Sequence, residues 1–398
     1  MEIYLVGGAV RDQLLGYPIM ERDYVVVGTS PAEMLKQGFR LIGNDFPVFL
    51  HPKTHEEYAL ARTERKIGPG YKGFTCYAAP DVTLEDDLQR RDLTINAMAQ
   101  TDSGQIIDPF QGQKDIGNKL LRHVSSAFSE DPVRVLRVAR FMARFAPLGF
   151  RVAKETMGLM KNMVSAGEMQ ALVPERVWQE FSKALTEPAP QAFIKILYNC
   201  DALAVLFPEI QELYTQNRNV KQRTLGGQHS YLSVLEKAVA LTNDPQVRFA
   251  AILCDLGKGV AKEETQTGIH LIQALCQRYR IPHAYVSLAI TAAAYHLLCH
   301  RALDLDAPSL YLLLEKTDAF RQSSRLDQFL LVCEADFQAY SGLANTLYLQ
   351  KVRVLSAFAV AKKVSANKIK KSGITGAALG KKLIQQRIQA ISDFLQKI

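Results

Sequence analysis

The sequence predicts an α+β fold: a small α/β domain with a mixed sheet, followed by a remainder built of helices. Three observations carry this. Residues 1 to about 125 alternate short apolar runs with amphipathic helical turns. From about Asp131 to the end, apolar residues recur at helical spacing and strand signals are scarce. The first apolar run is closed by a glycine pair, a short helix and a second apolar run entered through acids.

That opening stretch, LVGGAVRDQLLGYPIMERDYVVV from Leu5 to Val27, organises the rest. Ile3–Val6 reads as a strand. Gly7 and Gly8 lack a Cβ, so the chain there turns sharply and its backbone can approach a phosphate. A helix starting near Ala9 aims its free N–H groups at such an anion, and Arg11 adds a fixed positive charge. Glu21 and Asp23 flank Arg22 at the mouth of the strand Tyr24–Val27. Positions i and i+2 of a strand share a face, so the two carboxylates look into one cleft, the arrangement a pair of Mg²⁺ ions needs in phosphoryl or nucleotidyl transfer.

Further strands are expected at Val48–His51, Glu57–Arg62 and Gln105–Ile107, with a helix capped by Ser30 and carrying Pro31 in its first turn. In the helical part, Val135, Val138, Phe141 and Met142 line one face of the first long helix. Pro174 opens the next, ahead of Val177 and Phe181. Pro208 and the polar stretch 214–228, with Gly226-Gly227, mark a boundary. Helices resume near His229 and continue to about 340, and a last helical segment is broken at Ser372-Gly373 and Thr375-Gly376.

The 398 residues suffice for more than one domain, and 48% hydrophobic with 22% charged content fits a soluble globular protein. No stretch is long and apolar enough to span a bilayer. The first strand begins at once, so no signal peptide is expected. Six cysteines scattered without metal-type pairing suit reduced thiols in a cytosol, and a cytoplasmic location is expected. The net charge of +8 is unevenly placed. Lys351 to Ile398 holds 11 Lys/Arg against 1 acid, a net +10, which leaves −2 for residues 1–350. Such a tail suits an anionic partner, most simply nucleic acid; a solvated helical surface is the competing reading.

GGAVRD followed by ERD resembles motif A of the class II tRNA nucleotidyltransferases, the CCA-adding enzymes and bacterial poly(A) polymerases. Later stretches extend the resemblance. Glu57, in HEEYALARTERK, is similar to a Glu of the poly(A) polymerase relatives and is either a third carboxylate or an exposed strand residue. KIGPGYKGF, 66–74, resembles the flexible loop linked in CCA-adding enzymes to the switch from C to A. EDDLQRRDLTINAMAQ, 85–100, resembles motif B, whose counterpart contacts the ribose and triphosphate. On that reading Arg90, Arg91 and Asp92 sit at a helix start, Ile95 and Ala97 pack inward, and Asn96 helps hold the sugar. SEDPVRVLRVARF, 129–141, resembles the nucleotide-template motif EDxxR followed by RxxRF. Glu130, Asp131, Arg134, Arg137 and Arg140 are expected on one helix, whose arginine stripe repels itself unless an anion sits there. The resemblance implies template roles for Asp131 and Arg134, and triphosphate or base contacts for Arg137 and Arg140. It implies structural roles for Arg176 and Glu180 in PERVWQEF, 174–181.

The resemblance is dense to about residue 210 and implies a polymerase-beta-like nucleotidyltransferase head, 1–125; a neck and nucleotide-template domain, 126–212; an HD-like helical body, 225–340; and a basic tRNA-binding tail, 341–398. Gly8, Arg11, Arg91, Asp131, Arg134, Arg137 and Arg140 then bind nucleotide, and Glu21 and Asp23 are the catalytic acids that hold Mg²⁺. The implied activity is addition of the 3′-terminal CCA of tRNA from CTP and ATP. A poly(A) polymerase and a non-catalytic tRNA-binding protein are the rivals. The body departs from the HD pattern: the His-Asp doublet reads Cys254-Asp255, His296 is followed by Leu297, and the insertion after the doublet is cut to ETQTGIH with His270. Loss of phosphohydrolase activity is therefore expected, against a site rebuilt from His229, Cys254, Asp255 and His296. Glu21 stands where many relatives have Asp, with the charge kept and one methylene added.

Overall fold

The computed structural model describes residues 1–42, 47–66, 74–219, 232–256, 264–341, 347–367 and 376–397. It forms two compact units, Met1–Leu206 and Phe207–Ile398.

The first unit opens with β1 (Glu2–Val6), α1 (Gly8–Leu14), β2 (Asp23–Val27) and α2 (Pro31–Lys36). Strands β3 (Arg40–Leu41), β4 (Val48–Leu50), β5 (Glu57–Leu60), β6 (Thr63–Lys66) and β7 (Phe74–Tyr77) follow. Then come α3 (Leu84–Gln89), β8 (Ala99–Gln100), β9 (Ile106–Ile107) and α4 (Gly112–Gly117). Seven strands make one mixed sheet in the order β3-β4-β5-β2-β1-β8-β9. β1 pairs antiparallel with β2, setting Val6 opposite Asp23, and β2 pairs parallel with β5, setting Asp23 opposite Glu57. The register follows from burial on both faces. Val25 packs with Val6, Val82, Leu88 and Ala97 on one side, while Val26 packs with Met34, Phe49 and Leu60 on the other. A continuous apolar strand such as YVVV is what a two-sided core requires. Tyr24 and Tyr58 stack at 4.5 Å across the same pair of strands.

The expected helix at Ser30 is present: Ser30 and Glu33 form a capping box ahead of Pro31. The short strands β3, β6, β7 and β8 escape periodicity, since two to four residues carry too few alternations to register. Of the loop expected at 66–74, residues 67–73 lie outside the described residues.

A two-stranded parallel pair, β10 (Leu120–Leu121) and β11 (Arg151–Val152), flanks α5 (Val133–Phe145). α6 (Lys154–Ser165), α7 (Pro174–Thr186), α8 (Pro190–Asn199) and α9 (Ala202–Leu206) complete the unit. α5 packs on α7 and α8, and its Val135, Val138 and Ala139 are fully buried. Its arginines occupy the other side.

The second unit is helical among its described residues: α10 (Pro208–Asn219), α11 (Leu232–Leu241), α12 (Pro245–Leu253), α13 (Glu264–Arg278), α14 (His283–His300), α15 (Ala307–Lys316), α16 (Ser323–Ser341), α17 (Leu349–Lys362) and α18 (Gly376–Leu395). α10 takes in residues 214–219 of the stretch read as a boundary; 220–228 lie outside the described residues, as do Ser372, Gly373 and Thr375. Helices α11, α12, α14 and α16 pack together, and α18 rests on α15 and α17. No described helix is long and apolar enough to cross a membrane.

Candidate active site

One cleft of about 800 Å³ in the first unit gathers the opening motif and the α5 arginines. Gly7 and Gly8 form its floor. Gly7 has φ 67°, and a Cβ placed on it lies 2.7 Å from Arg91 Nη1, so only glycine lets Arg91 sit against the turn. Gly8 is the first residue of α1, and its Cβ position lies 3.4 Å from Arg11 Nη2. The guanidinium ends of Arg11 and Arg91 therefore meet at the glycine pair.

Glu21, Asp23 and Glu57 line the same cleft. Among the described residues their side chains make no hydrogen bond or ion pair. Burial pushes the Asp23 carboxyl above its ordinary value; Arg91 pulls it down and Glu21 pushes it up. Acids side by side at the cleft, with no hydrogen-bond donor on them among the described residues, are a donor set that fits a hard divalent cation. Glu57 is brought to the acids by the parallel β2–β5 pairing, which the sequence left open.

The motif B stretch is placed differently from the expectation. Arg90 caps the C-terminal end of α3, and Thr94–Asn96 forms a short 3₁₀ turn, so the charges stand at a helix end. The capping box of α3 is Thr83 with Asp86, and Asp87, wholly buried, binds both Arg90 and Arg91 at 2.6 and 3.1 Å. Ile95 and Ala97 are buried as expected. Asn96 is committed within the protein: its Oδ1 accepts Arg11 Nη1 at 2.5 Å and its Nδ2 donates to Asp92 at 3.0 Å.

Asp131 also departs from the expectation. Ser126–Glu130 forms a 3₁₀ turn and Asp131 lies between it and α5, where its Oδ1 accepts the Val133 N–H at 3.1 Å. A carboxylate followed by Pro132 serves better ahead of a helix than inside one. Its ionic partner is Arg176 of α7, at 3.2 and 2.8 Å, rather than Arg134 or Arg137. The arginine stripe is relieved by the protein itself. Arg134 donates to the carbonyls of Ala127 and Arg90 at 2.9 and 2.7 Å. Arg137 pairs with Asp92 at 2.6 Å, and Arg140 with Glu180 at 2.6 Å. All three still line the cleft. Burial alone raises the Asp92 carboxyl, but Arg137, Asn96 and Arg134 outweigh it and hold the group far below the usual carboxylate range.

Sequence reading missed Arg144, which continues the α5 stripe one turn past Arg140, and Asp12, which it pairs with at 2.9 Å. The spacing 134, 137, 140, 144 was the available signal. In the second unit the ligand atoms of Cys254, Asp255 and Asp336 lie within 4.8 Å of one another, all buried. His296 Nε2 is 3.3 Å from Asp255 Oδ1, the Tyr340 hydroxyl donates to Asp255, and His300 Nε2 is 2.7 Å from Asp336. Asp336 lies 81 residues beyond Asp255, out of reach of any local motif. His229 lies outside the described residues.

The fold and cleft are those of a nucleotidyltransferase. Residues 3–122 match the family described as Poly A polymerase head domain, and 149–213 match the one described as Probable RNA and SrmB- binding site of polymerase A. The chain belongs to the multifunctional CCA protein family. It is 55% identical to the Multifunctional CCA protein of Nitrosococcus oceani, over 99% of this chain and 98% of the relative. It is 53% identical to that of Thioalkalivibrio sulfidiphilus, with the same coverage. Among solved structures, a CCA-adding enzyme with ATP is similar in fold at TM-score 0.66, 22% identity, 98% of this chain and 86% of that one. A Thermotoga maritima CCA-adding enzyme complexed with tRNA is similar at TM-score 0.64, 24% identity, 100% and 90%.

Proposed function

We propose that this chain builds and repairs the 3′-terminal CCA of tRNA from CTP and ATP, without a nucleic acid template. The observation that supports this best is the single cleft, which holds the acids Glu21 and Asp23, the glycine turn and the arginines of α5 together. Glu21 and Asp23, with Glu57 beside them, hold Mg²⁺. Bound there, Mg²⁺ would supply Lewis-acid activation of the 3′-hydroxyl and charge balance for the pyrophosphate. Gly8, Arg11, Arg91, Arg137 and Arg140 bind and orient the triphosphate so that the hydroxyl meets the α-phosphate in line. Asp131 and Arg134 offer an acceptor and donors to the Watson–Crick edge of C or A. A protein template must be rigid, and the anchoring of Arg134 by two carbonyls and of Asp131 by Arg176 and Val133 N supplies that. The head, neck, body and tail divide the work at about residues 125, 212 and 340, with the tail holding tRNA by its phosphates. The setting is the cytoplasm.

The body has an HD-like helical arrangement without phosphohydrolase activity. Cys254 stands where the doublet has His and bonds Ala251 O at 3.5 Å, while Tyr340 and His300 engage the two carboxylates. Metal-dependent hydrolysis of p-nitrophenyl phosphate by the full chain, lost in Asp255→Asn, overturns this.

The test of the main reading is incorporation of labelled CTP and ATP into tRNA lacking CCA, with Mg²⁺. Two C, one A and arrest are expected, and Asp23→Ala abolishes addition while tRNA binding persists. Unlimited ATP addition without CTP points instead to a poly(A) polymerase.

A further inference from the structure

Asp12 sits on the helix that follows the glycine turn and is 7% exposed. Its two oxygens serve two different arginines. Oδ1 accepts Arg11 Nε at 2.9 Å, with Arg11 Nη2 at 2.8 Å, and Oδ2 accepts Arg144 Nη2 at 2.9 Å from 132 residues away. We propose that Asp12 is a positioning residue that locks Arg11 and Arg144 into the cleft as a pair, and that Arg144 is a further binding residue for the triphosphate of the incoming nucleotide.

The geometry carries this in three steps. Arg11 is 4% exposed and lies over the rings of Phe141 and Phe145 at 5.2 and 5.3 Å. A guanidinium taken so far from water needs a fixed counter-charge and filled hydrogen bonds. Asp12 and Asn96 take three of its five N–H groups, and the Nη2 end lies beside Gly8, where a phosphate has closest access. Arg144 is bound by the same carboxylate through one Nη2 donor, lies over Phe145 and Tyr17 at 5.4 and 5.9 Å, and keeps 29% of its side chain exposed on the cleft wall. A planar fork clamped at one edge and open at the other is preorganised for phosphate oxygens. Finally, one carboxylate between two guanidinium groups leaves the trio net positive. A further acid, Glu187, is 3.8 Å from Arg140, and burial raises its carboxyl against the pull of Arg144, Arg140 and Arg11. A polyanion in the cleft completes the balance.

This rests on the nucleotidyl transfer reading, so two readouts are needed. Full-length wild type, Asp12→Asn, Asp12→Glu and Arg144→Met are compared for kcat and KM with CTP and with ATP, and for binding of inorganic tripolyphosphate without tRNA. Asp12→Asn is expected to raise both KM values about tenfold and weaken tripolyphosphate by a similar factor, with kcat within about threefold, because lost positioning acts on binding. Arg144→Met gives a smaller rise of the same kind, and Asp12→Glu recovers part of the loss. If Asp12→Asn does not fold, Arg144→Met decides by the same criterion. Unchanged KM and tripolyphosphate binding in Arg144→Met, or a loss confined to kcat or to the unfolding midpoint, overturns the proposal. A wild type that binds tripolyphosphate but adds neither C nor A overturns the enzymatic reading instead.

Discussion

Replacing Asp92 by Asn removes one charge and leaves the shape. All three neighbours of this carboxylate are donors: the Leu93 N–H at 2.9 Å and Asn96 Nδ2 at 3.0 Å to Oδ1, and Arg137 Nε at 2.6 Å to Oδ2. An asparagine has one acceptor oxygen, so in either orientation its NH₂ faces a donor. Breaking a fully buried ion pair costs about 3–5 kcal/mol. Here Arg137 keeps 37% of its side chain exposed and regains water, which lowers the cost to about 2–3 kcal/mol including the donor–donor contact. With a urea slope of ~1–3 kcal/mol/M, the midpoint falls by about 1 M. The chain has a single tryptophan, Trp178 on α7, so its fluorescence reports the first unit alone. The pH dependence has a definite sign. The folded-state carboxyl lies below its ordinary 3.8, so its contribution is complete above that value and is lost as pH falls through the folded one. The gap between wild type and Asp92→Asn is therefore constant from about pH 7 to 5 and closes only in strong acid. A gap below about 0.5 kcal/mol at neutral pH, or one that widens on acidification, refutes the assignment of Asp92 as the anchor of Arg137.

Gly7→Ala places a methyl 2.7 Å from Arg91 Nη1 at φ 67°, costing about 1–3 kcal/mol and raising KM for both nucleotides, measured by urea unfolding and steady-state kinetics. Gly112→Ala puts a Cβ 2.4 Å from the Thr94 carbonyl and 2.9 Å from Met98, so Trp178 unfolding shifts by about 1–3 kcal/mol with KM little changed. Chelation of divalent cations abolishes addition and spares tRNA binding in a filter assay; addition that survives chelation removes the metal role of Glu21 and Asp23. Because partial burial and the neighbouring Glu21 raise the Asp23 carboxyl, protons compete with the cation at a higher pH than for an isolated Asp. The Mg²⁺ concentration for half-maximal rate then climbs as pH falls, and a flat profile refutes this.

Local chemistry determined much of this protein from sequence alone. A glycine pair after an apolar run, acids at i and i+2 before the next, and a helical remainder each report their structure within a few residues, because backbone freedom, strand alternation and helical period are local properties. So Gly8, Arg11, Glu21 and Asp23, and the burial of Ile95 and Val138, were legible. Partner choice was not. That Asp131 answers Arg176, that Arg137 answers Asp92, and that Asp12 joins Arg11 to Arg144 depend on how α5 and α7 pack and on the chain bringing residues 45 to 132 positions apart into contact. The same holds for Glu57, carried to Asp23 by the parallel pairing of β2 with β5, and for Asp336 beside Cys254 and Asp255. A charge in a sequence has no address until tertiary packing removes the water around it, and only then does its partner decide whether it anchors the fold or faces the ligand.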